Sequence, residues 1–175
     1  MATHALSVKT STLLAAAGEY YVLSRLCLRG YIAAQAPNGA PNADLVITDV
    51  AGERLYAIQV EARLKGSDNG WHMKQKHESI MSDHLLYCFV DFGDGTMSLP
   101  TTYVIPSRIV GPVLAETDRI WLRTPGKRGQ PHNDTEMRRL LPDYTLTMGE
   151  GAKAYGKGWL EEYREAWDVL DLKSL

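Results

Sequence analysis

The segment Tyr56–Gly66, YAIQVEARLKG, contains the residues that decide the predicted fold. Its even-numbered positions are all apolar, whereas the odd-numbered ones include Gln59, Glu61 and Arg63. Strict alternation over nine residues predicts a β-strand with one buried face. The polar face then belongs either to a solvated surface or to a metal site, and the neighbouring segments must distinguish the two.

The composition is that of an ordinary globular protein. The chain has 175 residues, of which 45% are hydrophobic and 23% charged, with a net charge of -2, which suits one domain with a real core. No apolar run approaches the roughly 20 residues of a membrane helix, and the N-terminus lacks the pattern of a signal peptide. We therefore expect a cytoplasmic protein. Cys27 and Cys88 have neither metal-ligand nor disulfide spacing, which predicts buried reduced thiols.

Hydrophobic periodicity and turn residues predict a mixed α/β order. Two strands separated by a short turn should form an antiparallel hairpin, and the whole is expected to be one α/β domain with a mixed sheet flanked by helices. The predicted elements are a helix Thr10–Arg29 capped by Thr10 or Ser11 and stopped by Gly30, strands Tyr31–Gln35, Ala43–Asp49 and Tyr56–Leu64, a helix from Trp71 to about Met81, strands 85–92 and 102–106, a helix from Ser107 to about Trp121, and a helix from Trp159 to about Leu170.

The hairpin geometry brings three polar residues together. If Asp49 pairs near Arg54, Asp44 lies opposite Gln59, and Asp44, Gln59 and Glu61 project from one face at about 5 to 7 Å from one another. Mg²⁺ prefers hard oxygen ligands, usually one or two carboxylates completed by water and phosphate. The hairpin therefore predicts a Mg²⁺ or Mn²⁺ site.

Glu19 adds an acid on the apolar side of the first predicted helix, among Ala15, Val22 and Leu26. An acid in an apolar stripe is costly unless it is paired or bound. Two interpretations remain open: Glu19 lies at the edge of the stripe in water or pairs with an arginine such as Arg63, or it faces the hairpin as an outer ligand or orienting group.

The order of these elements resembles the PD-(D/E)XK nuclease superfamily, in particular its resolvase-like and restriction-like members. The resemblance is carried by the helix with Glu19, strand NADLVITD with Asp44, strand YAIQVEAR with Gln59 and Glu61, and the helix and strand that follow. It covers about residues 10–110, with 111–175 as subfamily-specific helices and a basic loop. It implies a restriction endonuclease-like fold, Asp44 and Gln59 as metal-binding residues, and a metal-dependent deoxyribonuclease. It also suggests a homodimer, because cutting two strands favours two sites.

One position departs from the superfamily pattern. A lysine that orients the attacking water is expected two residues after Gln59, where this chain has Glu61. An acid there can hold a metal or accept a proton from water. A lysine can also be supplied by Lys65, Lys74 or Lys76. The alternative is a catalytically inactive nuclease-fold module that binds nucleic acid or a protein.

A basic segment is the second feature that suggests DNA as the partner. Residues 119–139 contain six arginines and lysines against two acids, in a stretch rich in Gly and Pro. Such a loop suits a phosphate backbone, although most charge clusters are only solvated surface. The candidate nucleic-acid contacts are Lys65, Lys74, Lys127, Arg128, Arg138 and Arg139.

Two other motifs favour no rival function. His72 and His77 are five residues apart, which does not place two ligands on one helical face, so zinc is not expected; His77 can instead line the cleft with Lys74 and Gln75. The segment 151–158, GAKAYGKG, matches part of a P-loop, but Gly158 stands where Mg²⁺ needs Ser or Thr. A flexible linker is the simpler interpretation, and no nucleotide cofactor is expected.

Overall fold

The structure is a computed structural model that describes residues 11–65, 70–95 and 99–171. The proposed Thr10 cap lies outside these residues. The helices and strands, in chain order, are α1 Ser11–Leu28, β1 Ile32–Gln35, β2 Leu45–Thr48, β3 Leu55–Arg63, β4 Trp71–Lys74, β5 Leu85–Asp91, β6 Thr101–Pro106, α2 Ser107–Arg123, β7 Met137–Leu140 and α3 Thr145–Met148.

The predicted hairpin is confirmed, in the predicted register. Strands β2 and β3 are antiparallel, with Leu45 opposite Ile58 and Thr48 opposite Leu55. The turn between them is held by Asp49, whose carboxylate accepts the backbone N–H of Glu53 at 2.8 Å. Because side chains alternate along each strand, this register places Asp44, Gln59 and Glu61 on one face.

The hairpin belongs to a mixed five-stranded sheet in the order β1-β2-β3-β5-β6. The β3–β5 pair is parallel, and the other neighbours are antiparallel. Strand β5 lies between β3 and β6 and is buried on both faces: Leu86, Cys88 and Val90 pack on one side, Tyr87 and Phe89 on the other. The predicted fold class, a mixed sheet around a central antiparallel hairpin with flanking helices, is therefore confirmed.

Each face of the sheet is covered by one long helix. Val22 and Leu26 of α1 pack against Ile58 and Val60 of β3, and the predicted stop at Gly30 is confirmed by its φ of 85°. On the opposite face, α2 packs beside β5 and β6 in a second core. Gln59 and Glu61 project toward this second face, away from α1.

The prediction of a helix from Trp71 to about Met81 was wrong. The chain forms β4, followed by a 3₁₀ turn at Gln75–Glu78. Trp71 and Met73 are buried while His72 and Lys74 are exposed, which is the period of a strand, not of a helix. Strand β4 pairs with the distant β7, so the local sequence carried little sign of it.

The C-terminal segment also differs from its prediction. In place of one helix from Trp159 to Leu170, two 3₁₀ turns form at Glu161–Tyr163 and Trp167–Leu170. Between them Arg164 bridges Tyr103 of β6, and the Glu165 carboxylate accepts the backbone N–H of Thr102. Pairing with the sheet edge keeps the chain extended here.

Two smaller expectations are corrected as well. The segment 151–158, expected to be a flexible linker, contains most of a 3₁₀ helix, Gly149–Tyr155, which directly follows the short helix α3. Cys88 is buried as expected, but Cys27 is exposed. Within the described ranges, no helix is both long and apolar enough to cross a membrane.

Candidate nuclease site

Asp44 lies immediately before β2, where the backbone is already paired with β3. Its N–H donates to the Ile58 carbonyl at 2.8 Å. Its Oδ2 accepts two hydrogen bonds, from Gln59 Nε2 at 2.6 Å and from the Val60 N–H at 2.7 Å. Burial raises the pKa of Asp44, while these two donors and the charge of Lys76 oppose the rise. Asp44 and Gln59 thus form one connected unit.

Glu61 is the second acid on this face of the sheet. Burial and the negative charge of Asp44 raise the pKa of Glu61 to about 8, and Lys76 acts in the opposite direction. A carboxyl group that burial and a neighbouring carboxylate keep protonated is stabilised in its ionised form by a bound cation. Without a cation, Glu61 therefore holds a proton at neutral pH.

Glu19 reaches the edge of the site from α1. Its Oε2 accepts a hydrogen bond from Gln35 Nε2 at 3.1 Å. Its pKa is raised by burial and further by the charge of Asp44, with the Gln35 hydrogen bond acting against the rise. The suggested pairing with Arg63 is wrong: Arg63 Nε donates to Asp91 at 3.0 Å and its guanidinium lies 4.1 Å above the Trp71 ring, on the other face of the sheet.

A groove of about 540 Å³ opens beside Gln59 and Glu61. Its walls come from β3, from β4 and the 3₁₀ turn, and from the start of β7; besides the two β3 residues, they include His72, Lys74, Lys76, His77 and Glu136. Lys76 Nζ is held by Asn42 Oδ1 at 2.8 Å, close to both acids. Of the three lysines considered as substitutes for the missing one, Lys76 is therefore the one that acts on both carboxylates.

The other candidate cations are spread over different surfaces. Lys65 lines a separate groove with Arg63 and Asp91. Lys127 and Arg128 are exposed in the loop after α2, as predicted for a basic loop, whereas Arg139 is half-buried on β7.

Arg138 does not fit its predicted role as a phosphate contact. Its residue is only 5% exposed, and its guanidinium pairs with Glu78, with Asp118 at 3.1 Å and with Asp134 at 3.5 Å. A buried arginine surrounded by three acids joins β7 to α2 and the 3₁₀ turn, and has no donor to spare for DNA. Burial alternates along β7, so Arg138 is buried whereas Arg139 is half-buried. The sequence predicts the same role for both arginines.

The donor set fits a small divalent cation of the Mg²⁺ type. Nowhere in 11–65, 70–95 or 99–171 do three His, Cys, Asp or Glu side chains gather closely enough to hold a metal alone. The site instead offers two carboxylates, Asp44 and Glu61, and the Gln59 amide, whose Nε2 is engaged by Asp44. One or two carboxylates with water and phosphate oxygens is the usual Mg²⁺ environment.

Sequence reasoning missed one pair of groups beside the site. His77 lies in the wall of the groove, and its Nδ1 is 2.7 Å from the hydroxyl of the buried Tyr87. The only available signal was a polar hydroxyl inside the apolar run of β5. The pairing itself could not be predicted while residues 71–81 were assigned to a helix.

The architecture, a mixed sheet with one long helix on each face and an acidic site on the hairpin, is that of a nuclease-like α/β fold. A solved structure of a bacterial homing endonuclease, I-Ssp6803I, is similar to it with a TM-score of 0.53 over 92% of this chain and 91% of that chain. The two sequences are 16% identical, so the likeness shows the fold. No protein-family model and no curated protein matches the chain.

Proposed function

We propose that the protein is a metal-dependent endonuclease that hydrolyses DNA phosphodiester bonds through a PD-(D/E)XK-like site. The observation that carries this proposal is the hydrogen-bonded Asp44–Gln59 pair beside Glu61, a carboxyl whose pKa is raised by Asp44. The fold shared with a homing endonuclease supports it. The proposal includes Mg²⁺ or Mn²⁺ as cofactor, and a homodimer in which two sites act on two strands.

The residues of this chain would divide the work as follows. Asp44, Glu61 and the Oε1 atom of Gln59 would hold the cation, which when bound supplies charge stabilisation to the phosphodiester and acidifies water. Once the cation and Lys76 hold Glu61 in its ionised form, its carboxylate would also accept a proton from the attacking water. Glu19, which accepts a hydrogen bond from Gln35, would act from the edge of the site as an outer ligand or orienting group.

Lys76 would take the part of the missing lysine. Its ammonium group favours the ionised form of both acids and is fixed by Asn42. A cation in this place can neutralise charge that develops on a phosphate oxygen. In this view Glu61 marks a variant arrangement in which the lysine comes from the turn after β4.

The experiment is a cleavage assay on single-stranded, duplex and branched DNA with Mg²⁺, Mn²⁺ or EDTA. Cleavage is expected only with a divalent cation, and Asp44→Asn and Glu61→Gln should each lower the rate about a hundredfold or more. Glu53→Gln is the matched control, because Glu53 is exposed in the turn of the same hairpin. Cleavage that persists in both site variants, or no cleavage of any substrate, contradicts the proposal; binding without cleavage would support the inactive module.

A further inference from the structure

His77 lies in the groove wall in a defined environment. Its residue is 4% exposed, and its ring packs edge-on against Tyr87 with the centroids 5.6 Å apart. Tyr87 is completely buried and lies beside Gln59 in the β3–β5 ladder. The hydrogen bond between His77 Nδ1 and the Tyr87 hydroxyl therefore connects the groove wall to the strand that carries the site.

The burial of Tyr87 determines which ring nitrogen of His77 carries the proton. In the described part of the chain, the Tyr87 hydroxyl has His77 Nδ1 as its one hydrogen-bond partner. If Nδ1 carried the proton, the phenolic O–H would be buried without an acceptor, which costs about 1–3 kcal/mol. The Tyr87 O–H therefore donates to Nδ1, and the proton of the neutral imidazole lies on Nε2.

Nε2 is not sealed inside the protein. Among the described side chains, the sealed polar atoms without a hydrogen-bond partner are Arg25 Nε and Thr102 Oγ1. Nε2 of His77 has no protein partner there and is not one of them, so it retains contact with solvent. Since His77 lines the groove with Gln59 and Glu61, that contact is made inside the candidate site.

The ring is neutral and held in place. Burial, together with the charges of Lys76 and Lys74, lowers the pKa of His77 to about 4. Its turn is packed against α2 at Gly111, where a Cβ would lie 2.8 Å from the Glu78 carbonyl oxygen. The ion pair between Arg138 and Glu78 holds the same turn. A neutral N–H with a fixed direction is a preorganised hydrogen-bond donor.

We propose that His77 is a further catalytic residue, whose Nε2–H donates a hydrogen bond to a non-bridging oxygen of the DNA phosphate bound beside Glu61. The inference rests on the proposed nuclease function. It supplies a donor from the 3₁₀ turn, which lines the groove together with Gln59 and Glu61 of β3, in a site where Glu61 occupies the usual lysine position.

Two substitutions separate this role from a purely structural one. In His77→Asn the shorter amide can accept from Tyr87 but presents no donor at the Nε2 position; in His77→Gln the longer amide reaches that position but leaves Tyr87 unpaired. Single-turnover cleavage of duplex DNA should fall about a hundredfold in His77→Asn and less in His77→Gln, while His77→Asn should be the more thermally stable. Equal rates, or faster cleavage by His77→Asn, would overturn the inference.

A second readout does not need cleavage. In ¹⁵N-labelled protein in EDTA, the His77 imidazole should show its proton on Nε2, and a duplex oligonucleotide should shift that N–H resonance. Failure of the wild type to cleave would refute the proposed function, whereas this spectrum still decides whether His77 contacts phosphate. A proton on Nδ1, or an N–H resonance that DNA leaves unchanged, refutes the role of His77 even in an active enzyme.

Discussion

Gln59 Nε2 lies 2.6 Å from Asp44 Oδ2, across the two strands of the central hairpin. The amide thus fixes the direction of one carboxylate and is the neutral member of a group that otherwise contains two acids. Replacing it with a third acid tests whether the site is built for a cation.

Gln59→Glu should lower the stability of the metal-free protein and increase its affinity for a cation. Loss of the hydrogen bond to Asp44 and the added charge should lower the free energy of unfolding in EDTA by about 1–3 kcal/mol near pH 8. Mn²⁺ affinity, measured by titration calorimetry, should rise about tenfold because a third carboxylate joins the site. The exposed Gln75→Glu is the control, and an unchanged Mn²⁺ affinity in Gln59→Glu would speak against a metal at Gln59.

Glu61→Gln should change how stability depends on pH. The folded pKa of Glu61 is about 8, against an ordinary value of 4.5. Since the folded state binds the proton more tightly, the free energy of unfolding falls as pH rises from about 4.5 to 8 and stays low above that. Because glutamine does not ionise, Glu61→Gln should not show this fall in the free energy of unfolding.

In urea titrations without metal, Glu61→Gln should therefore gain about 1–4 kcal/mol relative to the wild type between pH 5 and pH 9. Glu53→Gln, in the exposed turn, should follow the wild-type curve throughout. Parallel curves for Glu61→Gln and the wild type would show that the Glu61 carboxyl is not perturbed.

Arg138→Ala should act on folding. Removing the guanidinium leaves Glu78 and Asp118 without their buried partner, which typically costs about 3–5 kcal/mol. Arg139→Ala, one position along β7 and half-buried, should cost about 1 kcal/mol or less. Urea denaturation compares the two, and equal losses would contradict the assignment of Arg138 as the structural residue.

Lys127 and Arg128 should act on DNA binding alone. Both are exposed after α2, so Lys127→Gln combined with Arg128→Gln should leave the melting temperature unchanged. If both contact phosphates, the slope of log affinity against log salt should become shallower by about 1.8. Fluorescence anisotropy with a duplex oligonucleotide measures this slope, and an unaltered slope would remove the loop from the DNA-binding surface.

Much of the fold could be predicted because its signals are local. The α1 helix and its Gly30 stop, the hairpin register, and the strands and helix at 85–123 all follow from periodicity and turns within a few neighbouring residues. The hairpin also predicted which polar side chains share a face, so Asp44, Gln59 and Glu61 could be grouped from the sequence.

The remainder depended on partners far apart in the chain. Trp71–Lys74 becomes a strand through β7, and the segment after Trp159 stays irregular through its contacts with β6, so their helical patterns were overridden by tertiary pairing. The pairing of β4 with β7 also buries Arg138 among three acids and leaves Arg139 half-buried. It also brings Lys76 and His77 to the groove.

The sequence by itself therefore determined the hairpin and its acids, because neighbouring strands joined by a short turn have one register that buries their apolar face. Only the tertiary structure decided what surrounds those acids. The positions of Lys76, His77 and Arg138 depend on strand pairing and helix packing between distant segments, and burial at those contacts changes the chemistry of each side chain.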